Sequence, residues 1–282
     1  MITTRLKGGL GNQMFQYAVA RAVTQKNDQN LALDISWFKA QDKREFSLAG
    51  FNLKGEIVDL NLWQSLTYSS NFLKYITNDK KTYINEQKEF SFDPSIFSAS
   101  GDTLMEGYWQ HPLYFSSVEE IIREDFTLKR GFGKEAESIK RQIENSQSVS
   151  VHLRRGDYVE DDKINKIYKV CSQDYYSYAI KLIENDIESP HLFIFSDDIN
   201  WVKENMNFKH QVTYVSQKGL SDIEELVLMS YCKHNIIANS TFSWWAAWLN
   251  ENTSKLVITP LKWFNDSERS SQCLIPNSWK RI

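Results

Sequence analysis

From residue 149 onward, short apolar runs alternate with helix-periodic segments, and no other feature of the sequence restricts the fold as strongly. The apolar runs fall at 149–154, 192–196 (LFIFS), 212–215 (VTYV), 235–238 (NIIA) and 256–259 (LVIT). The segments between them predict helices over 174–187, 199–206, 221–232 and 241–250. Such alternation implies a parallel sheet with helices on both faces. Ser221-Asp222-Ile223-Glu224 adds a capping box, which ties down orphan amides at the start of the third helix.

The first half carries fewer signals. A strand at 2–6 leads through KGGLGNQ into a helix at 12–26 and a strand at 31–35 (LALDI), one βαβ unit. Residues 40–103 are rich in aromatic and polar side chains without a clean period. A strand at 104–108 and helices near 116–124 and 134–145 follow. The charge-rich stretch 129–148 makes a natural boundary, giving α/β domains over 1–130 and 131–282. A chain of 282 residues with 41% apolar content accommodates both.

Net charge is −3, from 33 basic and 36 acidic residues, which argues against nucleic-acid binding through general charge. Cys171, Cys232 and Cys273 are odd in number and scattered, fitting neither a disulfide framework nor a zinc site. Neither a signal-peptide stretch nor a membrane-length apolar run is present, so the expected location is the cytoplasm.

In an open parallel sheet, ligands sit at the carboxyl ends of the strands, beside helix starts. Along that edge of the second half lie His152, Arg154, Arg155 and Asp157, then Ser196, Asp197 and Asp198, then Asn239 to Ser243. Arginine forks match phosphate oxygens, amides at a helix start attract anions, and a carboxylate accepts the N–H groups of guanine. The rim therefore suits a nucleoside diphosphate. Each piece also has a plainer role. Arg155 can pair with Asp157, Asp198 and Ser240 can cap helices, His152 can be a core histidine, and Trp244, Trp245 and Trp248 can be core rather than a sugar platform.

The other distinctive stretch is KGGLGNQMFQYAVARAV, with Gly9 and Gly11 at a strand-to-helix turn and Asn12 and Gln13 expected to be exposed. Gly9-Leu10-Gly11 begins a dinucleotide fingerprint, yet Met14 replaces its third glycine. Asp34 stands where that fingerprint has its ribose-binding acid.

GGLGNQMFQYAVARA, VHLRRGDYV, FSDD and NSTFSWWAAWLN, in that order, resemble the bacterial α-1,2-fucosyltransferases of glycosyltransferase family 11. The resemblance runs from about residue 5 to 262 and includes GYWQHPLYF and LMSYCKHNIIANS. It implies a GT-B fold, two Rossmann-like doubly wound domains facing across a cleft. It also implies GDP-β-L-fucose as donor and an inverting, metal-independent transfer to O2 of a terminal β-galactoside, with no cofactor. By the family pattern, Arg154 holds the diphosphate, while Asp198, with Ser196 and His152, contacts the guanosine. Ser240, Thr241, Phe242 and Ser243 line the phosphate and sugar, and Arg155 and Asn239 join the donor contacts. Gly9, Gly11, Asn12 and Gln13 reach the fucose from the first domain, the acceptor side. Asp157 is the expected base, with Asp34, Glu160, Asp161 and Asp162 as weaker candidates. No Asp-x-Asp occurs in the chain, so a metal-bridged diphosphate is not expected.

The partners implied are GDP-fucose and a galactose-terminated glycan. Peripheral contact with a lipid-linked glycan and the oligomeric state stay open. Two rival readings follow from the residues themselves. One is an NAD-linked sugar-nucleotide oxidoreductase using the glycine turn, Asp34 and a Tyr214–Lys218 pair, and the other a non-catalytic glycan-binding module using the nine tryptophans.

Overall fold

Strand β1 (Ile2–Arg5) is buried along most of its length, so it must lie inside a sheet and not at its edge. The computed structural model describes residues 1–71, 73, 80–156, 167–168, 170–265, 271 and 273–282. Its contacts divide the chain into two units, Met1–Arg130 and Gly131–Ile282.

In the first unit, β1 is joined by β2 (Leu31–Asp34), β3 (Glu56–Val58), β4 (Thr82–Asn85) and β5 (Thr103–Glu106). All pairs are parallel, in the order β3-β2-β1-β5-β4. Helix α1 (Leu10–Asn27) starts two residues before the sequence pattern predicts, because Gly9 is its N-cap. Within the region left unassigned, β3, β4 and α2 (Leu62–Ser69) form, the last opened by an Asn61–Gln64 capping box. The helix expected near 116–124 is a 3-10 turn, Ser116–Val118, that runs into α3 (Glu119–Asp125).

The second unit contains β6 (Ser148–Leu153), β7 (His191–Ser196), β8 (Gln211–Tyr214), β9 (His234–Ile236), β10 (Val257–Thr259) and β11 (Lys280–Arg281). The order is β11-β10-β9-β6-β7-β8, again all parallel. Read from β8, this is the doubly wound dinucleotide-fold order, in which the strand order reverses between β6 and β9 while all strands stay parallel. Helices α4 (Lys134–Glu144), α5 (Gln173–Glu184), α6 (Ile199–Asn205), α7 (Asp222–Tyr231) and α8 (Thr241–Leu249) cover the sheet.

The two faces are distinct. Val149, Val151, Leu153, Leu192 and Ile194 pack with Tyr176, Ala179 and Ile183 of α5 and Val202 of α6. The alternate residues of β6 face α7 and α8, where Asn235 Nδ2 donates to Ser150 Oγ and to the Met229 carbonyl. His152 belongs to that second face.

Candidate active site

The carboxyl end of β6 lies at the switch point of the second sheet. His152 is 4% exposed, and its Nδ1 has no hydrogen-bond partner. Burial, helped by the positive charge of Arg154, pushes its pKa down to about 3, so the ring is neutral. The Phe242 ring lies 5.5 Å away at a tilt of 44°.

Beyond β6 the chain is held by one carboxylate. Asp197 Oδ2 lies 3.1 Å from Arg154 Nη1, and its Oδ1 accepts the Arg155 amide at 2.9 Å. A Cβ on Gly156 would approach Asp197 Oδ2 to 2.7 Å, so this position must stay bare. Arg154 therefore stands at the rim with its direction set by Asp197. Arg155 differs from it. Its guanidinium stacks 3.4 Å from the Trp201 ring centre, and its Nε makes an ionic contact with Asp198 Oδ2 at 3.5 Å. The expected Arg155–Asp157 pair involves a residue outside those described, as do Glu160, Asp161 and Asp162.

At the end of β7, Asp198 is the N-cap of α6. Its Oδ1 accepts the Trp201 amide at 3.2 Å, so only one oxygen is left toward Arg155. Ser196 Oγ accepts the Asp198 amide, and the Ser196 amide donates to Ser216 Oγ at 2.9 Å. Ser216 Oγ in turn donates to Glu225 Oε2 at 2.8 Å. Sequence reasoning passed over Glu225, which reads as one more charge on an amphipathic helix. Its position directly after the capping-box glutamate, where the helix turns inward, was the available signal.

The helix start that follows β9 divides in two. Ser240 is the N-cap of α8, accepting the Phe242 amide at 3.4 Å, and Thr241 and Phe242 are half-buried. Asn239 and Ser243 lie deeper than Thr241 and Phe242. Asn239 is buried and donates to the Trp263 carbonyl, and its Oδ1 faces Cys171 Sγ. Ser243 is fully buried and donates to the Ala238 and Ser240 carbonyls, because the third residue of the helix turns into the core. Trp244, Trp245 and Trp248 are core, with Trp244 Nε1 donating to the Leu274 carbonyl, so they form no sugar platform.

In the first unit the glycine turn is more structural than expected. Gly8 adopts φ +79, and a Cβ there would meet Asn12 Nδ2 at 2.8 Å. Gly9, the cap of α1, has only Arg44 near its missing Cβ, and Gly11 is buried within the helix. Asn12 accepts a hydrogen bond from Gln110 Nε2. Gln13 is fully buried, contrary to expectation. Its amide donates to the Gly8 and Glu45 carbonyls and accepts from the Ser47 amide, pinning the following loop. Asp34 is also fully buried, held by Arg5 Nε, the Ser36 amide and hydroxyl and the Leu60 amide, which removes it as a ribose acid or base.

A second feature of this unit was not foreseen. Glu86, just after β4, accepts the amides of Tyr108 (2.7 Å) and Trp109 (3.1 Å) and holds Trp109 at φ 54. A Cβ on Gly107 would come within 2.5 Å of Glu86 Cβ, which explains a glycine in the GYWQ loop. The Tyr214–Lys218 pair of the oxidoreductase reading also fails, because Tyr214 ends β8 and Lys218 lies in a 3-10 turn. No helix among the described residues is long and apolar enough to cross a membrane.

The parallel, doubly wound α/β architecture is that of GT-B glycosyltransferases. The chain belongs to glycosyltransferase family 11, whose model matches residues 1–282. It is similar to an α-1,2-colitosyltransferase of Escherichia coli, 33% identical over all of this chain and 99% of that one. It also matches the galactoside 2-α-L-fucosyltransferase Sec1 of Mus musculus, 27% identical over 88% of this chain and 64% of that one. Among solved structures, a mutant of Arabidopsis thaliana FUT1 in complex with GDP shares the fold, with a TM-score of 0.55 and 11% identity. That match covers 99% of this chain and 75% of the other.

Proposed function

We propose that this family 11 enzyme transfers L-fucose from GDP-β-L-fucose to O2 of a terminal β-galactoside, with inversion at the anomeric carbon. The observation that carries the reading is the meeting of Arg154, buried neutral His152 and the α8 start at the switch point of one sheet. The fucosyl specificity draws support from the similarity to the mouse galactoside 2-α-L-fucosyltransferase.

In this scheme the acceptor O2 forms a bond to fucose C1 as the bond from C1 to the β-phosphate oxygen breaks. The bonding pair leaves on GDP, and the hydroxyl proton passes to a general base, for which Asp157 is the proposed group. Negative charge builds on the β-phosphate, so a preoriented guanidinium supplies the largest stabilising effect there. Asp197 positions Arg154 for that task. Amides at the α8 start supply further positive potential, which makes a bridging metal unnecessary. Rates in excess chelator should equal rates with added magnesium, and a collapse restored by magnesium or manganese would overturn this part.

The decisive experiment presents GDP-fucose and a panel of β-galactosides to the enzyme, with products read by mass spectrometry and linkage analysis. A 2-linked fucosyl product is expected. The colitosyltransferase relative supports a second reading, in which the donor sugar lacks the 3-hydroxyl of fucose. A parallel screen with the 3-deoxy donor decides it by relative turnover.

A further inference from the structure

We propose that Glu225, and not Asp198, is the residue that selects guanine, its carboxylate accepting the N1–H and N2–H groups of the base. The proposal rests on the GDP-fucose reading and adds a specificity determinant to it. Asp198 is poorly placed for the task, because one oxygen caps α6 and the other faces Arg155. Glu225 has the opposite character. Its recorded partner is the Ser216 hydroxyl, and among the described residues no guanidinium or ammonium sits against it.

The location is set by a short chain of hydrogen bonds. Ser216 Oγ links Glu225 to the Ser196 amide, the last residue of β7, which pairs with Leu153 at the end of β6. Glu225 on α7 and His152 on β6 share one face of the sheet and its carboxyl end. His152 brings the independent sign of a ligand, a ring nitrogen buried and unpartnered. Buried polar atoms of that kind are uncommon in folded proteins and mark places where a partner is missing. Glu225 shows a related strain, since burial, with Asp222 as a minor contributor, raises its pKa to about 7. A carboxylate held out of water without a cation gains from two N–H donors on one planar edge.

The experiment is calorimetry with GDP, IDP and ADP on the wild-type enzyme and on Glu225→Gln. IDP lacks the 2-amino group, so it reads the proposed contact directly. Wild type should prefer GDP over IDP by about tenfold or more, the scale of one charge-assisted hydrogen bond. In Glu225→Gln that ratio should fall toward one, while circular dichroism stays unchanged, because glutamine can keep the Ser216 bond. An unchanged GDP-to-IDP ratio in a folded Glu225→Gln overturns the proposal. Should that variant fail to fold, Ser216→Ala keeps the carboxylate but loosens its hold. Its ratio should narrow, and a wild-type ratio there counts against Glu225. A folded wild-type enzyme that binds neither GDP nor IDP sinks the donor reading, a failure distinct from a ratio that does not respond to Glu225.

Discussion

The carboxyl rims of the two sheets are built from similar residues and handle them differently. In the first unit, Arg5 directs Nε to Asp34, Nη1 to Glu106 and Nη2 to Ser65, and Asp34 receives donors from three residues. Those charges neutralise one another and fasten strand ends together. In the second unit, Asp197 shares one carboxylate between Arg154 and the Arg155 amide, His152 keeps an unpartnered nitrogen, and Glu225 is held by a single hydroxyl. The lesson is that charge at a strand end is not by itself a sign of chemistry. A rim whose charges are neutralised by each other is scaffold, and a rim that keeps a buried histidine nitrogen without a partner is prepared for a ligand.

The comparison breaks most visibly at Asp34. Asp34→Ala strips a fully buried partner from Arg5 and from two backbone amides, so unfolding should become easier by about 3–5 kcal/mol. Turnover per folded molecule should be unchanged. Denaturant titration beside a rate assay checks both, and lost turnover in a fully stable variant would make the first rim catalytic after all.

Arg154→Ala should behave in the reverse way. The chain stays folded and turnover falls by about a hundredfold or more, the effect of removing one transition-state donor. Arg154→Lys should recover little, because the ammonium lacks the two-pronged geometry. Near-normal turnover in Arg154→Ala would remove the strand end from the mechanism.

Next in size is the acid limb of stability. Burial holds His152 at about 3, below the 6.5 of an exposed histidine, so the unfolded chain binds the proton more readily. The sign follows: this contribution is complete above pH 6.5 and is lost as pH falls from there toward 3. At pH 5 the loss from His152 alone is about 2 kcal/mol. His111, His191 and His234 are also lowered by burial and add in the same direction. Urea unfolding at pH 7 and pH 5 should show the drop, and His152→Phe should reduce it. An identical slope in that variant means the histidine is not neutral in the fold.

The second unit was legible because its central strands are buried along their whole length. β6 and β7 read as apolar runs, and the α7 capping box forms as its four residues predict. The region 40–103 was not legible because β3 and β4 are the two edges of the first sheet. Glu56–Val58 and Thr82–Asn85 are only three and four residues long and none of their residues is fully buried, so no hydrophobic period marks them. Arg154, His152 and Ser240 were visible at the rim because the topology rule names that edge. Gln13 was expected to be exposed because a polar residue beside a glycine turn reads as ligand-facing, whereas it is buried and, like Asn239 and Ser243, satisfies buried backbone groups.

The smallest expected effect sharpens the division of labour inside the second rim. Asp198→Ala removes the α6 cap and the ionic contact with Arg155, which should cost about 1 kcal/mol of stability. Arg155→Ala removes the stack on Trp201, at about 0.5–1 kcal/mol. Both changes act on one cluster, so the double variant should lose less than the sum of the two. GDP affinity should hold in Asp198→Ala, since one carboxylate oxygen caps the helix and the other faces the Arg155 charge at 3.5 Å. Thermal unfolding of the three variants, with GDP calorimetry on the first, tests the assignment. A tenfold loss of GDP affinity in Asp198→Ala with unaltered unfolding would return guanine to Asp198, because a cap can be removed without touching a ligand but a base contact cannot.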